Sequence, residues 1–230
     1  MSQSHPAHGA TQNDDASAAP TDMEPLDALA LSALLSSRVC HDLINPVGAI
    51  GSGLEVLDDA SMDASMHEAA MDLVRTGAQK AIALLSYARL AYGAAGGYGA
   101  EISLEDAQKA LTGVYDAAKA DLDWRLGAGY AAKENVKVLL ILGYAAADCV
   151  PRGGEVLVSG EPAAFEIVAR GKKVLLNDDF VRALGGDVHE IMPKYAPAHI
   201  ASRLVADAGG KISARLEDDV VTFSATFPAR

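Results

Sequence analysis

The chain has 230 residues, half of them apolar, enough to bury the core of one large domain or two small ones. Its net charge of −12 is repelled by nucleic acid and by anionic membranes, so no direct binding to either is expected. Only 5% of the residues are aromatic and alanine is common, which favours closely packed helices.

Residues 1–22 are polar and rich in Ala, Ser, Asp and Pro. Such a segment cannot offset its ordering entropy and reads as a disordered tail, with His5 and His8 solvated in it. No export signal is expected, because residues 1–20 hold neither Lys or Arg nor an apolar run.

A helical hairpin is expected over residues 23–93. The first helix starts near Pro25, a residue suited to a helix's first turn. Its stripe is Leu31, Leu35, Val39, Leu43, Val47, Ile50, Leu54 and Leu57, recurring every three or four positions. A turn over 58–63 follows, with Ser61 and Asp63 as possible N-caps. The second helix runs from about Ser65 to Tyr92, with a stripe through Met66, Ala70, Leu73, Gly77, Ala81, Leu84, Leu85 and Ala88. One hairpin alone leaves apolar surface in water, so a homodimer with a four-helix bundle is expected.

Residues 94–100 belong to a Gly-rich linker. Beyond it, over 101–230, the pattern is mixed. Helices are expected near 103–119, 133–148, 178–185 and 196–208, and strands at 122–126, 155–158, 165–169, 211–216 and 220–227. The whole predicts an α/β sandwich with helices on one sheet face. The apolar stretch VLLILGYAAA (138–147) is too short to span a bilayer and reads as a buried helix. A soluble, cytoplasmic protein is expected. Cys40 and Cys149 read as reduced thiols.

The stretch RVCHDLINPVGAI (38–50) does not fit a plain helix. His41 is two positions from both Val39 and Leu43, about 200° of rotation, so it points away from the apolar stripe. Ser37, Arg38, Asn45, Gly48 and Ser52 share that outward face. Gly48, Gly51 and Gly53 each lower helix stability by about 1 kcal/mol relative to Ala, and Pro46 by about 3 kcal/mol. Close approach of another protein's backbone would give a reason for a flat, bent helix here. A neutral exposed imidazole is a good nucleophile. Asp42 can hold one ring nitrogen, Asn45 can bind a phosphoryl oxygen, and Arg38 can offset phosphate charge. These residues suit reversible phosphorylation of His41, against the bland reading of a solvated surface histidine.

HDLINP (41–46) resembles the H-box of histidine-kinase dimerisation domains. Residues 135–158 resemble the first helix and turn of the kinase ATP-binding domain, and 200–216 and 223–228 its last helix and strands. The resemblance implies a dimeric hairpin followed by a degenerate, Bergerat-type α/β sandwich. The departures are specific. Ile141 and Ala145 stand where kinases place asparagines for magnesium and nucleotide. ARGKK (169–173) replaces the Asp-x-Gly-x-Gly motif, and YAPAH (195–199) replaces the Gly-rich phosphate loop. Without those ligands ATP has little to hold it.

A phosphorylatable hairpin joined to such a domain resembles the ChpT-type histidine phosphotransferases of alphaproteobacterial cell-cycle phosphorelays. The resemblance implies a phosphoacceptor His41, with supporting roles for Asp42 and Asn45. Docking is expected through Ser37, Arg38, Gly48 and Ser52 on the face shared with His41, and the resemblance implies that the second domain helps to dock the receiver. It implies a CckA-like hybrid-kinase receiver as donor and CtrA-like and CpdR-like regulators as acceptors. No cofactor is expected on this chain; Mg²⁺ would sit in the receiver. The rivals are an ATP-dependent kinase with divergent motifs and a non-catalytic dimer that sequesters receivers. Phosphatase action through Asn45 is compatible with phosphotransfer.

Elsewhere, His67, His189 and His199 read as solvated or structural and Trp124 as core. The Gly pairs at 153–154 and 209–210 read as a turn and a helix end. The Asp pairs at 58–59, 178–179 and 218–219 read as turns and caps.

Overall fold

The computed structural model of the protein describes residues 26–93 and 101–228. The expected tail (1–22), Pro25 and the linker (94–100) lie outside the described residues.

Two long helices come first, α1 (Ala28–Asp58) and α2 (Ala64–Ala91). Each begins on an aspartate whose carboxylate accepts a backbone N–H: Asp27 from Ala30 at 2.7 Å and Asp63 from Met66 at 2.9 Å. Ser61 does not cap; it hydrogen-bonds to Asp59 in the turn between the helices.

The helices meet where side chains are small or missing. Pro46 and Gly53 are the buried residues of α1, and Ala70, Gly77, Ala81 and Leu84 are among those of α2. A Cβ at Gly77 would lie 2.7 Å from the Pro46 carbonyl oxygen, and one at Gly53 2.9 Å from that of Ala70. Pro46 thus faces inward, its carbonyl against Gly77 of α2, and is not itself part of the outward surface. Gly48 and Gly51 are the glycines that leave that surface open, with nothing within 4 Å of an added Cβ.

The apolar stripes divide between two faces. Leu35, Val39, Ile50 and Leu57 are half-buried. Ile44, Val47 and Leu54 on α1 and Met71, Ile82 and Leu85 on α2 are exposed. At about 100° per residue, Val47 and Leu54 lie to one side of Pro46, and Leu85 and Ile82 to the same side of Gly77 in the antiparallel helix. They form one uncovered apolar flank.

The second domain contains β1 (Glu101–Ser103), α3 (Leu104–Tyr115), β2 (Ala120–Trp124), β3 (Tyr130–Ala132) and α4 (Lys133–Cys149). It continues through β4 (Gly154–Glu161), β5 (Ala164–Gly171), α5 (Asp178–Leu184), a 3₁₀ turn (Pro193–Tyr195), α6 (Ala196–Asp207), β6 (Lys211–Glu217) and β7 (Val220–Thr226). The main sheet has the order β2-β4-β5-β7-β6, antiparallel except for β2 with β4. Alternate residues on its strands, Val156, Val158, Ile167, Ala169, Val221, Phe223 and Ala225, are wholly buried. They share one core with Val138–Leu142 of α4, so that apolar stretch is a core helix. The β6–β7 turn places Asp218 and Asp219 at φ 50° and 59°, the left-handed pair of a tight hairpin. Gly209 ends α6 at φ 70°. Trp124 is half-buried against the core.

Candidate functional site

The site begins on α1. The His41 side chain is 78% exposed, and its Nδ1 lies 3.5 Å from Asp42 Oδ1. That is a long contact, at the outer limit for a hydrogen bond. A carboxylate can only accept there, so the contact is a hydrogen bond in the tautomer that carries its proton on Nδ1, which leaves Nε2 as the free nitrogen. The other oxygen of Asp42 accepts from Arg38 Nε at 2.7 Å. Arg38 is one helical turn before Asp42, so the pair is built by i,i+4 spacing alone.

Arg38 departs from expectation. Its place in the sequence predicts an outward docking residue with a charge free for phosphate. Its side chain is only 11% exposed, and its charge is already balanced by Asp42. The guanidinium lies 5.7 Å above the Tyr144 ring and donates to the Lys194 carbonyl at 3.4 Å. Burial works against its charge, but Asp42, Tyr92 and Tyr144 more than offset this and hold it above the usual arginine range. Arg38 therefore fastens α1 to the second domain and steadies Asp42 behind the histidine.

Beneath Arg38 is a cluster of tyrosines. Tyr87 of α2 packs against Tyr144 at 4.7 Å between ring centroids and against Tyr92 at 5.7 Å. Its hydroxyl donates to the Leu140 carbonyl at 3.4 Å. Burial raises the phenol of Tyr87 and pushes that of Tyr92 up to about 12. This seat was not read from the sequence. The signal was the placing of scarce aromatics on α2 and α4.

His41, Asp42 and Asn45 line one groove of about 290 Å³ with Lys80 of α2, Lys119 after α3, and Tyr144 of α4. The groove thus has a wall from each domain. Ser37, Gly48 and Ser52 are exposed on α1 but do not line it. His67 and His189 are elsewhere. His199 is buried on α6 with no partner for Nδ1, and burial with nearby Arg203 lowers its pKa.

A second cavity, about 310 Å³, lies between α4, α5 and α6. Its walls include Ile141, Ala145, Leu176, Phe180 and Phe223. The 195–199 segment is the end of a 3₁₀ turn and the first turn of α6. Among the described residues, no group of three His, Cys, Asp or Glu is placed to hold a metal, and no helix is long and apolar enough to cross a membrane. Cys40 is exposed and Cys149 buried, both as free thiols.

The Arg38–Asp42 pair has a measurable consequence. Asp42→Ala strands a mostly buried guanidinium, which should lower stability by about 2 kcal/mol, short of the fully buried case because both partners keep some water. Arg38→Met with Asp42→Leu should recover most of that loss, since no charge is left unpaired. Urea unfolding of the three proteins checks this.

A long hairpin presenting an outward histidine, seated on an α/β domain, is the architecture of a phosphotransfer protein. Comparison with known proteins agrees. Residues 104–220 match the family model described as the histidine phosphotransferase C-terminal domain. The protein phosphotransferase ChpT of Brucella abortus (strain 2308) is 36% identical over 211 residues, covering 87% of this chain and 97% of that one. A solved bacterial phosphotransferase matches with a TM-score of 0.76 at 34% identity, over 87% of this chain and 97% of that one. The catalytic domain of the histidine kinase ThkA matches at a TM-score of 0.41 and 14% identity over 56% of this chain, too remote to weigh on function. The chain belongs to the histidine phosphotransferase family. It is a phosphotransferase of a two-component phosphorelay.

Proposed function

We propose that this protein relays a phosphoryl group between receiver-domain aspartates through His41, without using ATP. The observation that carries the reading is the exposed imidazole with Asp42 behind Nδ1, set in a groove walled by both domains. In the loading step, Nε2 forms a bond to phosphorus as the bond from phosphorus to the donor's aspartyl oxygen breaks. The carboxylate leaves with the electron pair. Positive charge on the ring is shared through Nδ1–H with Asp42. Unloading is the reverse, onto a second receiver. Asn45 is in reach of the groove to orient a phosphoryl oxygen. The receiver supplies its aspartate and a bound Mg²⁺; this chain supplies an aligned nucleophile and a docking face.

The kinase alternative is disfavoured by Ile141 and Ala145, apolar side chains at the positions where the kinases it resembles carry asparagines for metal and nucleotide; both line the second cavity, whose oxygen-bearing acid and amide are Asp148 and Asn177. A sequestering dimer would have no use for an exposed imidazole set beside Asp42 in a groove walled by both domains. The partners proposed are a CckA-like receiver as donor and CtrA-like and CpdR-like regulators as acceptors, in the cytoplasm, with neither nucleic acid nor membrane bound directly.

We also propose a homodimer through the uncovered flank of Ile44, Val47, Leu54, Met71, Ile82 and Leu85. Leu85→Asp is expected to convert it to a monomer in light scattering. Unchanged mass would move the interface elsewhere.

The test of the relay reading uses labelled phosphate. Purified protein is incubated with magnesium-ATP alone, or with a receiver already phosphorylated on aspartate. Label is expected only from the receiver, stable to alkali, labile to acid, and mapped by mass spectrometry to His41. Label from ATP alone would make the protein a kinase. No label from a competent donor would favour the sequestering dimer.

A further inference from the structure

We infer that Lys80 and Lys119 form a two-sided anion seat that contacts the phosphoryl group as it passes to and from His41. The inference rests on the relay reading above.

It starts from the charges that face the groove. Besides His41 they are Asp42, Asp148, Lys80 and Lys119. Both acids are already engaged: Asp42 with Arg38 at 2.7 Å and Asp148 with Lys194 at 3.3 Å. Among the described residues, the side chains of Lys80 and Lys119 have neither a hydrogen bond nor an ion pair, and both residues are exposed. Both ammonium groups therefore face the groove unneutralised, in a chain whose net charge is −12; Lys80 also borders the adjoining groove with Arg89 and Lys109. A surface ammonium is free to be solvated anywhere. Here one comes from each domain and both line the groove that holds the nucleophile.

Helix geometry puts Lys80 at the right height. Gly77 packs on Pro46, and the helices run antiparallel. Lys80 is three residues past Gly77, and His41 five before Pro46, so at about 1.5 Å per residue they lie within one turn along the hairpin. Lys80 is also turned to the flank of α2 opposite Leu85 and Ile82, towards the second domain. Lys119 sits at the far wall, where the chain turns from α3 into β2; its carbonyl would be 3.0 Å from a Cβ on Gly153. The bare Gly153 thus leaves room for the Lys119 backbone beside it.

Phosphohistidine carries about two negative charges, and the transferring group keeps them in flight. Arg38 cannot answer that charge, because Asp42 already balances it. Lysine is suited to the task as a compact, mobile point charge with three donors. Such cations would hold the equatorial oxygens while the attacking and leaving atoms stay in line.

Single-turnover labelling from a phosphorylated receiver, run at saturating receiver concentration, tests this. Lys80→Ala and Lys119→Ala are each expected to slow transfer about tenfold, and together by more than either alone. Lys→Arg variants should recover part of the rate. Urea midpoints should stay at the wild-type value, as both side chains are exposed. A defect that vanishes at saturation would mean that the lysines only steer an acidic partner, and would overturn the proposal. Wild-type rates in all variants would overturn it too. His41→Gln is the separating control: if it blocks labelling while the lysine variants do not, the relay reading stands and the anion seat falls.

Discussion

Replacing His41 by glutamine is expected to abolish labelling from a phosphorylated receiver, a loss of at least about a thousand-fold in rate. The size follows from the chemistry. Glutamine keeps a polar group of similar reach but its amide nitrogen has no basic lone pair to attack phosphorus. Among the described residues, neither His67 nor His189 lines the groove and His199 is buried, so none of these imidazoles is placed to take over. The fold should not notice. The His41 side chain is 78% exposed, so the unfolding free energy should change by no more than about 0.5 kcal/mol. Undiminished labelling of a folded His41→Gln protein would end the claim that this residue carries the phosphoryl group.

Gly77→Val should have the largest effect on stability. Its Cβ would stand 2.7 Å from the Pro46 carbonyl oxygen and 3.0 Å from Ile50 Cγ1. The first of these neighbours is backbone and cannot rotate away, so α1 and α2 must part. We expect a loss of about 3 kcal/mol in urea unfolding, in the upper range for overpacked cores. Transfer should fall with it, because Asp42 lies one turn from the contact and Lys80 lies beside it. Gly48→Ala is the matched comparison. An added Cβ there meets nothing within 4 Å, so the free protein should gain about 0.5–1 kcal/mol from helix propensity. If a receiver's backbone seats on Gly48, that more stable variant will nonetheless transfer more slowly. A Gly77→Val protein as stable as wild type would mean that the hairpin is not packed through this glycine.

Much of this was legible in one sequence because the signals were local. The hairpin came from residue spacing, and the five strands of the main sheet from alternation and turn residues. The outward turn of His41 came from its rotation off the stripe. The short strands β1 and β3 carry three residues each, too few for a period to show, and were missed. The role of Arg38 was misread for a different reason. Its i,i+4 partner is visible in the sequence, but the Tyr144 ring that covers it comes from more than a hundred residues away. Pro46 was read as an outward device because helix breakers suggest exposed function. Its burial depends on Gly77, a residue on another helix with no side chain to announce the contact. Lys80 and Lys119 were invisible as a pair, since only tertiary packing brings α2 and the turn after α3 to one groove.

The groove has one nucleophile and walls from both domains, and this dictates an order of events. A donor receiver and an acceptor receiver need the same few square nanometres around Nε2, so they cannot be seated at one histidine together. The protein must release one before it greets the other, carrying the charge alone in between. Initial-rate plots against donor at several acceptor concentrations should therefore give parallel lines. An excess of either spent receiver should slow the relay simply by standing in the doorway. Flux through the signalling chain would then be set by the ratio of loaded to unloaded receivers in the cell, and not by the amount of this carrier alone.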